Sequence, residues 1–126
     1  RTHLLFATLA LSLCAAACSK NPKDRLQGKW LGDSVANVAP DQNAAASAWV
    51  KGMSFEFVGD KLTVTVPAEQ PRVGEYKVDK VDGKNVTLKI TRDSGTVDTA
   101  NLLFAEDRSL HWDIGDGREV ILTRLQ

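Results

Sequence analysis

From Leu26 onward, apolar and polar side chains alternate in short runs, and turn residues interrupt them at intervals of about ten residues. Leu26 to Val35 is the first run. Met53-Ser54-Phe55-Glu56-Phe57 alternates, turns at Gly59-Asp60-Lys61 and returns as Leu62-Thr63-Val64-Thr65-Val66, which predicts a hairpin. Pro67 to Pro71 is a loop, because proline cannot donate to a sheet ladder. Val73 to Val78 follows, and Asp82-Gly83-Lys84-Asn85 supplies a turn in which Asp-Gly tolerates positive φ. Val86 to Ile90, Thr96 to Phe104, Leu110 to Ile114 and Glu119 to Leu125 complete eight strands, separated by Asp93-Ser94-Gly95 and Gly115-Asp116-Gly117 among other turns. The predicted class is all-β, an antiparallel meander.

One segment, Ala39 to Gly52, breaks the rhythm. Its alanines favour helix, Pro40 or Asp41 suits a first turn, Lys51 suits the last, and Gly52 suits the stop. The prediction is one short helix between strands 1 and 2. Ala45, Trp49 and Met53 are spaced four apart, so Trp49 projects on the side of the small alanines. Trp49 is read as a plug in one barrel end, with a lid over a pocket as the alternative.

Eight antiparallel strands with one apolar face either close into a barrel or pack as two sheets, and closure removes the edges that invite aggregation. A barrel of that size has an interior just wide enough for side chains or for one small ligand. The inward series includes Met53, Phe55, Phe57, Leu62, Tyr76, Leu88, Leu110, Trp112 and Ile114. That bulk predicts a filled core.

Sixteen Lys and Arg stand against sixteen Asp and Glu, so the chain has no field that would gather nucleic acid, and none is predicted as a partner. Both cysteines, Cys14 and Cys18, lie near the front and supply no structural disulfide to the strand region.

That front segment carries its own signal. Arg1 and His3 precede the apolar run Leu4 to Leu13, and Ala15-Ala16-Ala17-Cys18 precedes the polar Ser19-Lys20-Asn21-Pro22-Lys23. The apolar run is too short to cross a bilayer, which takes about 20 residues. The pattern resembles the lipobox of bacterial lipoproteins, whose cysteine receives diacylglyceryl and palmitate chains and becomes the mature N-terminus. Ala15 departs from the larger aliphatic which that family prefers. An ordinary secretion signal with an incidental Cys18 is the alternative. The resemblance implies residues 1–17 as signal peptide, a tether over 18–25 lipidated at Cys18, and a domain over 26–126. Ser19, not aspartate, follows the cysteine, which implies an outer-membrane address rather than an inner one. Lys20, Lys23 and Arg25 against Asp24 suit a tether beside anionic headgroups, or a solvated linker.

Gly28-Lys29-Trp30 and Arg124 sit at the two ends of the strand series. They resemble the Gly-x-Trp of the first barrel strand and the closing arginine of the last strand in the lipocalin and fatty-acid-binding superfamily. The resemblance implies a calycin-type barrel closed by Gly28, Trp30 and Arg124. The Thr-Asp-Tyr motif of the classical lipocalins is missing from this chain.

Catalytic chemistry has little to stand on. His111 is the one histidine past the signal and alternates away from Leu110, Trp112 and Ile114, so it is expected to face solvent, with Asp113 as a possible partner. Asp113, Asp116 and Glu119 around Gly115 and Gly117 read as a turn, lacking the ligand spacing of a calcium loop. The chain is read as non-enzymatic, with no cofactor and no metal. Two function classes stay open: an accessory module that binds another envelope protein, or a carrier or sensor of a small apolar or amphiphilic ligand held at Trp30, Trp49 and Tyr76.

Overall fold

The structure is a computed structural model in which residues 21–125 are described. Residues 1–17, read above as a signal peptide, and Cys18 lie outside them. A short helix α1 (Pro22–Leu26) leads into β1 (Gly28–Ala36), and helix α2 (Pro40–Val50) joins β1 to β2 (Ser54–Val58). β3 (Lys61–Thr65), β4 (Arg72–Asp82), β5 (Asn85–Thr91), β6 (Val97–Phe104), β7 (Leu110–Gly115) and β8 (Arg118–Arg124) follow. Each strand pairs antiparallel with its sequence neighbours, and β1 pairs with β8, so the meander closes into an eight-stranded barrel. Closure leaves no free edge.

The strand pattern of the sequence is thus met by a closed barrel, with α2 between β1 and β2 as predicted. The first strand differs at its start. Leu26, read as the opening of β1, ends α1 instead and is fully buried. Asn21 caps that helix by accepting from the Asp24 N–H at 2.8 Å, and Pro22 occupies its first turn, where a missing N–H costs nothing. Residues 22–25, read as tether, are therefore folded onto the barrel end.

Inward residues divide by height. At one end Trp30, Phe57, Tyr76, Leu88, Leu102, Phe104, Leu110 and Leu122 are buried and packed, with Phe57 and Tyr76 edge-to-face at 5.2 Å. The turns after β2, β4 and β6 gather at this end, as do α1 and the end of β8. Toward the other end Met53, Val64, Ile90 and Trp112 are only partly buried, and Ile114 is 48% exposed. The predicted filled core holds for the first half and fails for the second. The physical reason is side-chain size: Ala100 and Gly74 stand in the wall beside the cavity, where Phe or Leu would be needed to fill the width.

Candidate functional site

An open cavity of about 940 Å³ occupies the loosely filled half of the barrel. Its wall is apolar, drawn from Val35, Phe55, Leu62, Val64, Ile90, Ala100 and Val120 on six different strands. Phe55 on β2 and Trp112 on β7 meet inside the ring with centroids 4.9 Å apart. Water gains little from such a surface, so the space favours an apolar occupant.

Helix α2 lies over the mouth. It packs chiefly against β1, and what lets it approach is Gly32: a Cβ there would fall 1.9 Å from the Val50 carbonyl oxygen. Val50 is buried and anchors the helix. Trp49 lines the cavity yet is 54% exposed. The expected plug is therefore not what the structure holds: Val50 makes the anchoring contact, and the indole borders the opening without filling it.

The rim carries Arg72, Arg92 and Arg118, each held by a carboxylate. Arg72 meets Glu69 at 3.0 Å and Arg118 meets Asp116 at 3.3 Å. Arg92 donates through Nε and Nη2 to Asp98 at 2.6 and 3.0 Å, a bidentate pair that raises the guanidinium pKa still further.

The three side chains proposed to hold a ligand do not come together. Trp49 lines the cavity, whereas Trp30 and Tyr76 belong to the packed end and take no part in its wall. The Tyr76 hydroxyl donates to the Gly59 carbonyl at 2.8 Å and accepts from Gln27 Nε2 at 2.8 Å. Burial pushes its pKa up. Gln27 also accepts from the Gly59 N–H at 2.7 Å, so one side chain ties the chain leaving α1 to the β2–β3 turn.

Gly28, Trp30 and Arg124 do meet. The Arg124 guanidinium lies 4.3 Å from the centre of the Trp30 ring and donates to the carbonyls of Arg25 and Gln27, while the Trp30 indole N–H donates to the Leu26 carbonyl at 2.8 Å. These carbonyls end or follow α1, where no intrahelical partner exists for them. Gly28 has φ +114°, and a Cβ on it would stand 2.9 Å from Arg124 Nη1. Glycine is required there by the backbone and by the arginine together. The trio thus caps a helix end as well as closing the barrel.

His111 departs from the solvent-facing expectation. Its side chain is 23% exposed and lies between Glu119, at 3.5 Å from Nδ1, and the buried Ser109, whose Oγ is 3.0 Å from Nε2. Asp113 instead accepts from the Gly115 N–H at 2.8 Å within its turn. Ser109 gives its hydroxyl proton to Asp107 at 2.5 Å, which holds that carboxyl below its usual range. A hydroxyl committed to a carboxylate is not aimed at the histidine as a nucleophile's would be. Among the described residues no cluster of three His, Cys, Asp or Glu side chains is placed to hold a metal ion.

Sequence reading missed the wall positions Ala100 and Gly74. The signal lay in β6, where Ala100 alternates with Leu102 and Phe104: a small residue in a bulky inward series marks unfilled width. No family model matches this chain, and no curated protein or solved structure matches it at a significant level.

Proposed function

We propose that this chain is a lipocalin-like envelope lipoprotein that carries or senses a small apolar or amphiphilic molecule inside its barrel, anchored through acyl chains on Cys18. The observation that supports the ligand role is the cavity: about 940 Å³, apolar in its wall and bordered by one helix, within the range of about 300–1,000 Å³ typical of small-molecule sites. The accessory-module reading rested on a filled interior and loses that support. Anchoring and an outer-membrane address rest on Ala15-Ala16-Ala17-Cys18 and Ser19 alone. No step of this role calls for a catalytic residue or a cofactor.

Titration of the protein with an environment-sensitive fatty-acid probe tests the ligand role. Saturable binding at one site, abolished by Ala100→Phe in a variant that keeps its far-ultraviolet circular dichroism, is the expected result. Probe binding that ignores Ala100→Phe places the probe outside the barrel and removes the proposal. Separately, Cys18→Ser is expected to release the protein from membranes in cells; retention would discard the anchor.

A further inference from the structure

The buried residues of the cavity wall, Val35, Val50, Phe55, Leu62, Ala100 and Val120, are all apolar. Among the described residues one polar side chain is buried, Ser109, and it lies in the β6–β7 turn at the packed end. A charged or hydrated group carried into the cavity would lose its water and meet no buried polar side chain to replace it. The half-buried Trp112 offers at most one indole N–H, which cannot stand in for the hydration shell of a carboxylate or phosphate.

At the rim the opposite holds. Gln42, Ser94 and Thr99 are exposed there, and so are Arg72, Arg92 and Arg118. Each of these arginines is already engaged, by Glu69, Asp98 and Asp116 respectively, and the exposed Asp93 adds a further negative charge beside them. The rim therefore suits a hydrated group of either charge or none, and it assembles no unpaired cations to select an anion.

On the ligand role proposed above rests a narrower one: we propose that the cavity takes a single-chain amphiphile tail first, selects it by the apolar surface of its chain, and leaves the head group in water at the rim. An eight-stranded ring has room across its width for one small ligand, so one chain enters rather than two. Each methylene moved from water into the wall tightens binding by up to about fourfold. An exposed contact between the head and a rim arginine adds little, because water competes for both. Affinity thus follows chain length until the cavity is full, and different heads on one chain bind alike.

The three tryptophans of the chain report the direction of entry. Trp49 borders the opening and is 54% exposed, Trp112 stacks on the buried Phe55 inside the ring, and Trp30 takes no part in the wall.

The test displaces an environment-sensitive fatty-acid probe with decanoic, dodecanoic and tetradecanoic acids, then with the alcohol and the monoacylglycerol of the longest chain, all below their micellar concentrations. Dissociation constants should fall with chain length, by up to about fourfold per methylene. They should differ by less than about threefold among the three heads, and Arg72→Gln and Arg118→Gln should change them by no more than that. Bromine on a fatty-acid chain quenches a tryptophan it touches. Bromine at the chain terminus should quench Trp112 in the Trp49→Phe protein, and bromine beside the carboxyl should quench Trp49 in the Trp112→Phe protein. A flat response to chain length, a larger dependence on the head, or quenching in the reverse order overturns the tail-first reading while the ligand role stands. Absence of saturable displacement by every compound removes the ligand role, and this reading with it. If circular dichroism shows Trp112→Phe misfolded, Trp49→Phe still decides the direction, since Trp112 is then the one tryptophan left in the described wall.

Discussion

Arg124 and Trp30 face each other across the β1–β8 seam, the guanidinium 4.3 Å from the indole centre and paired with it in the strand register. The seam is where a sheet becomes a barrel, and the same arginine caps one carbonyl in the last turn of α1 and one just after it. Trp30→Ala is expected to cost about 3–5 kcal/mol, as aromatic-to-alanine changes in cores do. Arg124→Ala should cost about 1–2 kcal/mol, because water reaches part of what it leaves. A double-mutant cycle in urea should give a coupling of about 0.5–2 kcal/mol. Strict additivity would mean that the stacking is incidental.

Tyr76 is the single tyrosine of the chain, so its ionisation can be read directly from ultraviolet absorbance. Burial is the largest cause of its raised pKa, opposed by the hydrogen bond from Gln27 and reinforced by Asp60 and Asp24. A folded-state pKa above the unfolded value of 10.0 contributes stability that is fully present below pH 10.0 and is lost as pH rises through the folded value. The native protein should titrate above 10.0, and unfolding should return the midpoint toward it. Tyr76→Phe should remove this part of the alkaline sensitivity. A native midpoint at or below 10.0 would show the ring exposed.

Much of the barrel was readable because alternation and turn chemistry act over a few residues. The β2–β3 hairpin, the loop before β4 and the helix between β1 and β2 all follow from local signals. The seam was legible only through the resemblance of Gly28-Lys29-Trp30 and Arg124 to a known barrel pattern, since Trp30 and Arg124 meet across the first and last strands. The emptiness of one half was not readable in the same way. It depends on which inward side chains share a level of the ring, and Gly74 on β4 and Ala100 on β6 reach that level only through the β3–β4 and β5–β6 registers, opposite Leu62 and Leu88. The fate of His111 was hidden for a similar reason: Glu119 comes to it across the β7–β8 pairing, while Asp113, two residues along, is taken by its own turn.

Asp107, Ser109 and His111 form a chain at the β6–β7 turn. The Ser109 hydroxyl is the largest cause of the depressed Asp107 pKa. A depressed carboxyl contributes stability that is present above its unfolded value near 3.8 and is lost as pH falls through the folded value. Ser109→Ala should therefore move the Asp107 carboxyl upward toward 3.8 in a carbon-13 titration. The stability gap between variant and native protein should be wider at neutral pH than below the folded value. A gap of one size at both pH values would reject the linkage.

Trp49 decides whether α2 is a structural cap or a gate. Trp49 is 54% exposed and so leaves more than half of its surface in solvent, and the helix is held chiefly by Val50 against Gly32. Elements with few buried contacts open at low free energy, as mouths that must admit a ligand do. Trp49→Ala should then lower stability by less than about 1 kcal/mol, well under the core aromatic cost. It should also speed release of a bound fatty-acid probe. Gly32→Ala acts on the same gate from the other side, because its Cβ must push the Val50 carbonyl away and with it the end of α2. Both variants should therefore raise the probe's dissociation rate, with Gly32→Ala the more destabilising. Stopped-flow release measured beside urea denaturation separates the two roles: a stability loss of several kcal/mol for Trp49→Ala with an unchanged release rate would make the helix a plug after all.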